Sequence, residues 1–159
     1  MTTSRELIEH AKASVTAIPR RPRSQQAVVT CQDARIDPVR IFGAAPGDMN
    51  VIRNAGGLVT PDVVNGLLVS QYRLGTTRID LVMHTDCGML GFDSEALAEE
   101  VRAATGQRLR TDLAGFDDLH AELLRGVATL RGNPALLHRD EVRGFVYHIE
   151  DGRLEVVAE

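Results

Sequence analysis

Apolar and polar positions along this chain follow two rhythms. Ala27-Val28-Val29-Thr30 and the run 79–83 are short, almost continuously apolar and bounded by polar residues, the pattern of buried strands. They predict strands over 26–30 and 78–83, with another over 50–53 between them. Elsewhere apolar residues recur at helical spacing. Leu7, Ile8, Ala11 and Val15 form a stripe over 3–15, capped by Thr3 or Ser4. Val64, Leu67, Leu68 and Tyr72 form a second stripe over 61–74, with Pro61 in its first turn and Gly75 just past its end. Asp37-Pro38 opens a short helix over 37–42, which Gly43 ends.

The second half is more polar. Helices are predicted over 94–103 and 116–130, with Asp117, Asp118 and Glu122 near the start of the latter, where the helix dipole favours acids. A strand over 141–149, a turn over 150–153 and a returning strand over 154–157 complete the chain. The order β–α–β–α–β makes this an α/β protein: a mainly parallel central sheet flanked by helices, with an antiparallel C-terminal edge. With 159 residues, one domain over 1–159 is expected, residues 1–16 being a helical arm whose apolar stripe needs a surface to lie on, either its own domain or a second subunit.

Composition narrows the function. A net charge of −4 gives no electrostatic case for nucleic acid, and Arg20, Arg21 and Arg23 read as a solvated patch. No stretch reaches the roughly 18 apolar residues that span a bilayer. Arg5, Glu6 and Glu9 leave no apolar centre for a signal peptide, so a cytoplasmic protein with reduced thiols is expected. The rival for its two cysteines, a Cys31–Cys87 disulfide, is rare in that compartment.

The chemistry gathers where strands end. Cys31-Gln32-Asp33-Ala34-Arg35 follows the first strand, and an extended backbone would turn Cys31, Asp33 and Arg35 to one face. His84-Thr85-Asp86-Cys87-Gly88 follows the strand over 78–83. Cys31, His84 and Cys87 are three soft or borderline ligands, suited to Zn2+ rather than magnesium or calcium. Three protein ligands leave a position open for catalysis, and zinc lowers the pKa of a bound water to about 7. Asp33 would either orient that water or take the fourth position itself. Arg35 would hold Asp33 off the metal, or the pair is a structural ion pair. His10, His120, His138 and His148 lie in helices or strands without comparable partners and read as surface or satisfied core histidines. Gly56-Gly57 after the strand over 50–53 allows a tight turn or a close backbone approach, and both readings stand.

Those two motifs, with Val51-Ile52-Arg53-Asn54-Ala55-Gly56-Gly57 between them, resemble the β-class carbonic anhydrases over about residues 26–90. The 145–157 hairpin is similar to that family's last strands. The resemblance implies that Cys31, His84 and Cys87 bind zinc and that Asp33 with Arg35 is the catalytic dyad. In a closed state, Asp33 would be the fourth ligand. It also implies reversible hydration of carbon dioxide to bicarbonate and a proton, and a homodimer, in some members a tetramer, with sites near the interface. Ala55, Gly56, Gly57 and Met89 are expected around the substrate.

The chain departs from the family in places. Its length matches the compact bacterial subgroup. Met89 stands where many members have a second glycine, and the glutamine and tyrosine of the plant-type pocket have no match. The absence of Trp argues against the regulatory bicarbonate site that some members build with one. Two other readings remain: hydrolysis of carbonyl sulfide or carbon disulfide on the same scaffold, and a non-catalytic zinc protein with Asp33 as permanent ligand.

Overall fold

A computed structural model of the chain describes residues 2–13, 18–109 and 113–159. Its elements in chain order are α1 (Ser4–Ala13), β1 (Gln26–Cys31), α2 (Pro38–Ile41), β2 (Met49–Asn54), α3 (Pro61–Leu74), β3 (Arg78–His84), α4 (Ser94–Thr105), α5 (Leu119–Arg131), β4 (Val142–Tyr147) and β5 (Leu154–Ala158). The five strands form one sheet in the order β2-β1-β3-β4-β5. All neighbours are parallel except β4 and β5, so the expected α/β architecture with its antiparallel edge holds. β1 and β3 are central, and their residues are almost all buried, which is why they read as unbroken apolar runs.

Alternation assigns the core to two faces. Ala27, Val29, Ile79, Leu81, Met83 and Val146 pack with Val63 and Leu67 of α3 and Leu123, Val127 and Leu130 of α5. Each fully buried Val, Leu, Ile or Met side chain among these stabilises the fold by about 1.5–3 kcal/mol. Val28, Val82 and Phe145 face the other way with Phe42, Met49 and Tyr147. Cys31 lies on the larger, α3/α5 face. At the amino end of β3, Asp80 is fully buried, held by Arg143 at 2.7 Å and by the amide of Gln26. The Arg143 guanidinium also stacks 5.3 Å above the Phe145 ring.

Most helix ends follow the sequence signals. Asp37 accepts from the Arg40 N–H, Thr60 caps α3 ahead of Pro61, and Gly75 is left-handed at φ 73°. Thr3 and Glu6 cap α1 reciprocally. Two expectations change. Tyr72 is half exposed and Val63 takes the buried place instead, because α3 turns its 63/67/70 face to the sheet. The helix expected from 116 begins at Leu119, capped by Asp118, while Phe116 is buried and bridges to Leu90 in a strand-like contact. Val15 of the first stripe lies outside the described residues. Leu7 and Ile8 are exposed on α1, which has no core of its own to cover.

Candidate metal centre

The carboxyl ends of two adjacent central strands carry the site. β1 ends on Cys31, and β3 ends on His84 with Cys87 one turn later. All three residues are buried, and their ligand atoms lie within 4.8 Å of one another. Among the described residues they form the one such group. The two Sγ atoms are 4.0 Å apart and both cysteines are free. That is far from a disulfide's roughly 2.05 Å, and close to the spacing of about 3.8 Å that two thiolates take on a tetrahedral zinc.

His84 supplies the clearest fit to a metal. Its Nδ1 lies 2.8 Å from the Thr85 carbonyl, which can only accept, so Nδ1 carries the proton. Nε2 is then a bare lone pair, buried and without a hydrogen-bond partner. An unmet buried acceptor costs about 1–3 kcal/mol, which a metal ion would relieve. A backbone carbonyl on the far nitrogen is also what orients metal-binding imidazoles. Burial pushes the Cys87 thiol up to about 11, the Met89 N–H opposing the rise and Cys31 adding to it.

The 84–87 loop is tied down on its outer side. Thr85 N–H donates to the Tyr147 carbonyl, and the Thr85 hydroxyl accepts from Ile149 N–H and donates to Glu150. Asp86 adopts φ 52°, a left-handed conformation that Asp tolerates better than most residues.

Asp33 and Arg35 meet, but not by strand alternation. The backbone turns after Cys31, and the Asp33 carboxylate accepts the Arg35 N–H at 2.8 Å. The guanidinium folds back onto the same carboxylate at 2.7–3.2 Å. These hydrogen bonds hold Asp33 well below the usual carboxylate range and raise Arg35. Asp33 is thereby turned towards Arg35 and lies outside the three-ligand group.

A cavity of about 220 Å³ opens over Cys31 and Cys87, walled by Ala55, Gly56, Met89 and the Asp33 turn. Gly57 does not line it. A Cβ on Gly57, whose φ is +67°, would lie 3.0 Å from the main chain of Thr30 and Cys31. The glycine pair therefore serves both a sharp turn and a close approach. His120 and His148 share Glu155 at 3.2 and 2.7 Å, away from this group.

Two further residues had no role in the sequence reading. Arg53 donates to the carbonyls of Cys31 and Asp33 at 2.9 and 2.6 Å, fixing the turn that carries both. Asp86 accepts from Arg35 at 2.7 Å. A signal existed for Arg53, since it stands at a strand's carboxyl end, where α/β proteins gather their sites.

A family model described as carbonic anhydrase matches residues 26–154. Beta-carbonic anhydrase 1 of Mycobacterium tuberculosis is 35% identical over 150 residues, spanning 94% of this chain and 92% of that protein. A carbon disulfide hydrolase of Saccharolobus solfataricus is 36% identical over 151 residues, spanning 80% of this chain and 74% of that protein. The crystal structure of carbonic anhydrase from Streptococcus mutans superposes with a TM-score of 0.87 at 30% identity, covering 99% of both chains.

Proposed function

The chain belongs to the β-class carbonic anhydrase family, and on that premise we propose that it hydrates carbon dioxide reversibly at a zinc ion held by Cys31, His84 and Cys87. The observation that carries the zinc assignment is the orphaned, buried Nε2 of His84 beside two free thiols. When bound there, zinc lowers the pKa of a coordinated water to about 7, making a hydroxide nucleophile available near neutrality.

The chain's own residues do the rest. Asp33 remains ionised under Arg35, so it can accept a hydrogen bond and orient the attacking oxygen towards the substrate carbon. Because Arg35 grips it, the carboxylate is kept from the fourth ligand position, which weighs against the purely structural reading. Ala55, Gly56 and Met89 offer a small, largely apolar wall to an uncharged linear molecule. One C–O bond forms as one C=O π bond of the substrate opens onto its oxygen, bicarbonate leaves as an anion, and the proton that water gave up passes to buffer.

Stopped-flow hydration assays, with metal analysis of the same samples, test this reading. About one zinc per chain is expected, lost in Cys31→Ala and Cys87→Ala together with activity. Full zinc retention in both variants would sink the ligand assignment. Kinship with carbon disulfide hydrolases favours one second reading, hydrolysis of carbon disulfide or carbonyl sulfide at the same pocket. Parallel assays on those substrates separate the two.

The exposed Leu7 and Ile8 of α1 support a homodimer in which a second copy covers this helix, and tetramers are open to the same surface logic. Sedimentation of a chain lacking residues 1–16 tests it, a weakened dimer being expected. Two unbridged cysteines 4.0 Å apart support a reducing, cytoplasmic setting. No helix among the described residues is long and apolar enough to cross a membrane.

A further inference from the structure

Two cavities meet at Met89. The smaller, about 220 Å³, is the pocket over the cysteines. The larger, about 450 Å³, lies beyond it, among Ile52, Leu58, Val63, Leu113 and Ala114. Ala55 and Met89 border both.

Several polar groups around the larger cavity are tied into the surrounding structure. Arg53 is committed to the carbonyls of Cys31 and Asp33. Asn54 exchanges both of its amide groups with the main chain of Leu58, at 2.8 Å each. The Thr60 hydroxyl accepts from the Val63 N–H. Asp62, the remaining polar neighbour, is exposed. Ile52, Ala55, Leu58, Val63, Leu113 and Ala114 make the surface facing the cavity mainly aliphatic.

Met89 has a fixed main chain and an adaptable side chain. Its carbonyl accepts the Phe116 N–H at 3.0 Å, and the next residue, Leu90, donates to the Cys87 carbonyl at 3.0 Å. Gly115 permits this approach, since a Cβ there would stand 2.8 Å from the Met89 carbonyl oxygen. The unbranched thioether has three rotatable bonds. Its base rests on Gly56, where a Cβ would lie 3.2 Å from both Cβ and Cγ of Met89.

We propose that the larger cavity is an apolar antechamber for uncharged linear triatomic substrates, and that Met89 is the partition that decides which of them reaches the metal pocket. The proposal rests on the hydration reading above. Its volume falls within the roughly 300–1,000 Å³ of small-molecule pockets, far more than one three-atom molecule fills. Molecules of the type O=C=O, O=C=S or S=C=S carry no charge and shed little hydration on entering. Bicarbonate would exchange its hydration for a mainly aliphatic wall that also carries the Asp62 carboxylate, so the chamber favours the uncharged substrate over the anionic product. Removing the thioether widens the passage, and the larger sulfur atoms gain more from that than oxygen does.

Xenon is a chemically inert probe of the chamber. Crystals of the zinc-loaded protein under xenon should show it beside Ile52, Leu58 and Val63. Ala114→Trp, at an exposed position, should abolish that xenon site and lower kcat/KM for carbon dioxide through KM. Met89→Ala should raise the ratio of kcat/KM for carbon disulfide to that for carbon dioxide by about tenfold or more, and Met89→Phe should lower it. Absence of xenon from the wild-type chamber would overturn the antechamber. Equal effects of Met89→Ala on both substrates would overturn the partition. A zinc-loaded protein inactive on both substrates would instead overturn the hydration reading and the partition with it, leaving the chamber to be judged by xenon alone.

Discussion

Arg35 holds Asp33 with one edge of its guanidinium and Asp86 with the other. Nε and Nη2 reach the Asp33 carboxylate at 3.0 and 2.7 Å, while Nη1 reaches the Asp86 carboxylate at 2.7 Å and Nη2 its carbonyl at 3.0 Å. Arg35→Ala frees Asp33 to move to the metal, so a loss of about 100-fold or more in hydration rate is expected with zinc retained. Asp86→Asn keeps the main-chain contact and removes only an exposed ion pair, so a loss below about fivefold is expected. Stopped-flow rates with metal analysis check both. Wild-type rates in Arg35→Ala would reduce the pair to a structural contact.

Glycines 57 and 43 separate two costs that are often confused. Gly43 is left-handed at φ +59° with open space around it, so Gly43→Ala should cost about 1 kcal/mol of conformational strain. Gly57 is also left-handed, but its added Cβ would press on the main chain of Thr30 and Cys31. Gly57→Ala should therefore cost more than about 2 kcal/mol and weaken zinc binding as well. Urea unfolding of the metal-free forms, with zinc competition titrations, distinguishes them. Identical behaviour of the two variants would contradict the close approach.

Metal binding should be linked to protons through Cys87. Its thiol is pushed up to about 11 from an ordinary value of 9.0, chiefly by burial. With the folded value the higher, the favourable contribution of the neutral thiol is complete below about pH 9 and declines as pH rises towards 11. Metal-free protein should accordingly lose stability across that window, and zinc-loaded protein should not. Near neutrality, binding should release at least about one proton per zinc, seen with a pH indicator in weak buffer. Binding without proton release would argue against a thiolate ligand.

Away from the site, Asp80 is fully buried and depends on Arg143, which is one-third exposed. Arg143→Leu leaves that carboxylate with only the Gln26 amide and Arg78 at 3.8 Å, and should cost about 2–4 kcal/mol, read from urea unfolding. Adding Asp80→Asn to this variant should recover part of the loss. A double variant less stable than Arg143→Leu alone would point to another role for Asp80.

Legibility in the sequence tracked how local each signal was. Pro61 and Gly75 bracket α3 because a first-turn proline and a left-handed glycine act through neighbouring backbone alone. The grouping of Cys31, His84 and Cys87 was readable because Cys31 and His84 end adjacent strands, Cys87 follows within one turn, and the parallel order brings those ends together. Phe116 was misplaced into a helix because its partner Leu90 is 26 positions away and nothing in the local spacing reports it. Arg53 and Asp86 escaped for the same reason, as their work is done on Cys31, Asp33 and Arg35, supplied by other strands and turns. Tyr72 had the right spacing but stands on the flank of its helix, and spacing cannot choose between adjacent faces.

β1 and β3 are paired in a fixed register, with Thr30 opposite Val82. A slip of one residue between them would carry Cys31 about 3.3 Å along the strand and turn its side chain to the opposite face. The three ligand atoms would then no longer converge. On the zinc assignment proposed above, metal capture would be a gauge of strand alignment: a chain that has paired its two central strands one step out of phase would be left as an empty, thiol-bearing misfold. In refolding mixtures, the metal would sort correctly threaded molecules from slipped ones before any catalysis takes place.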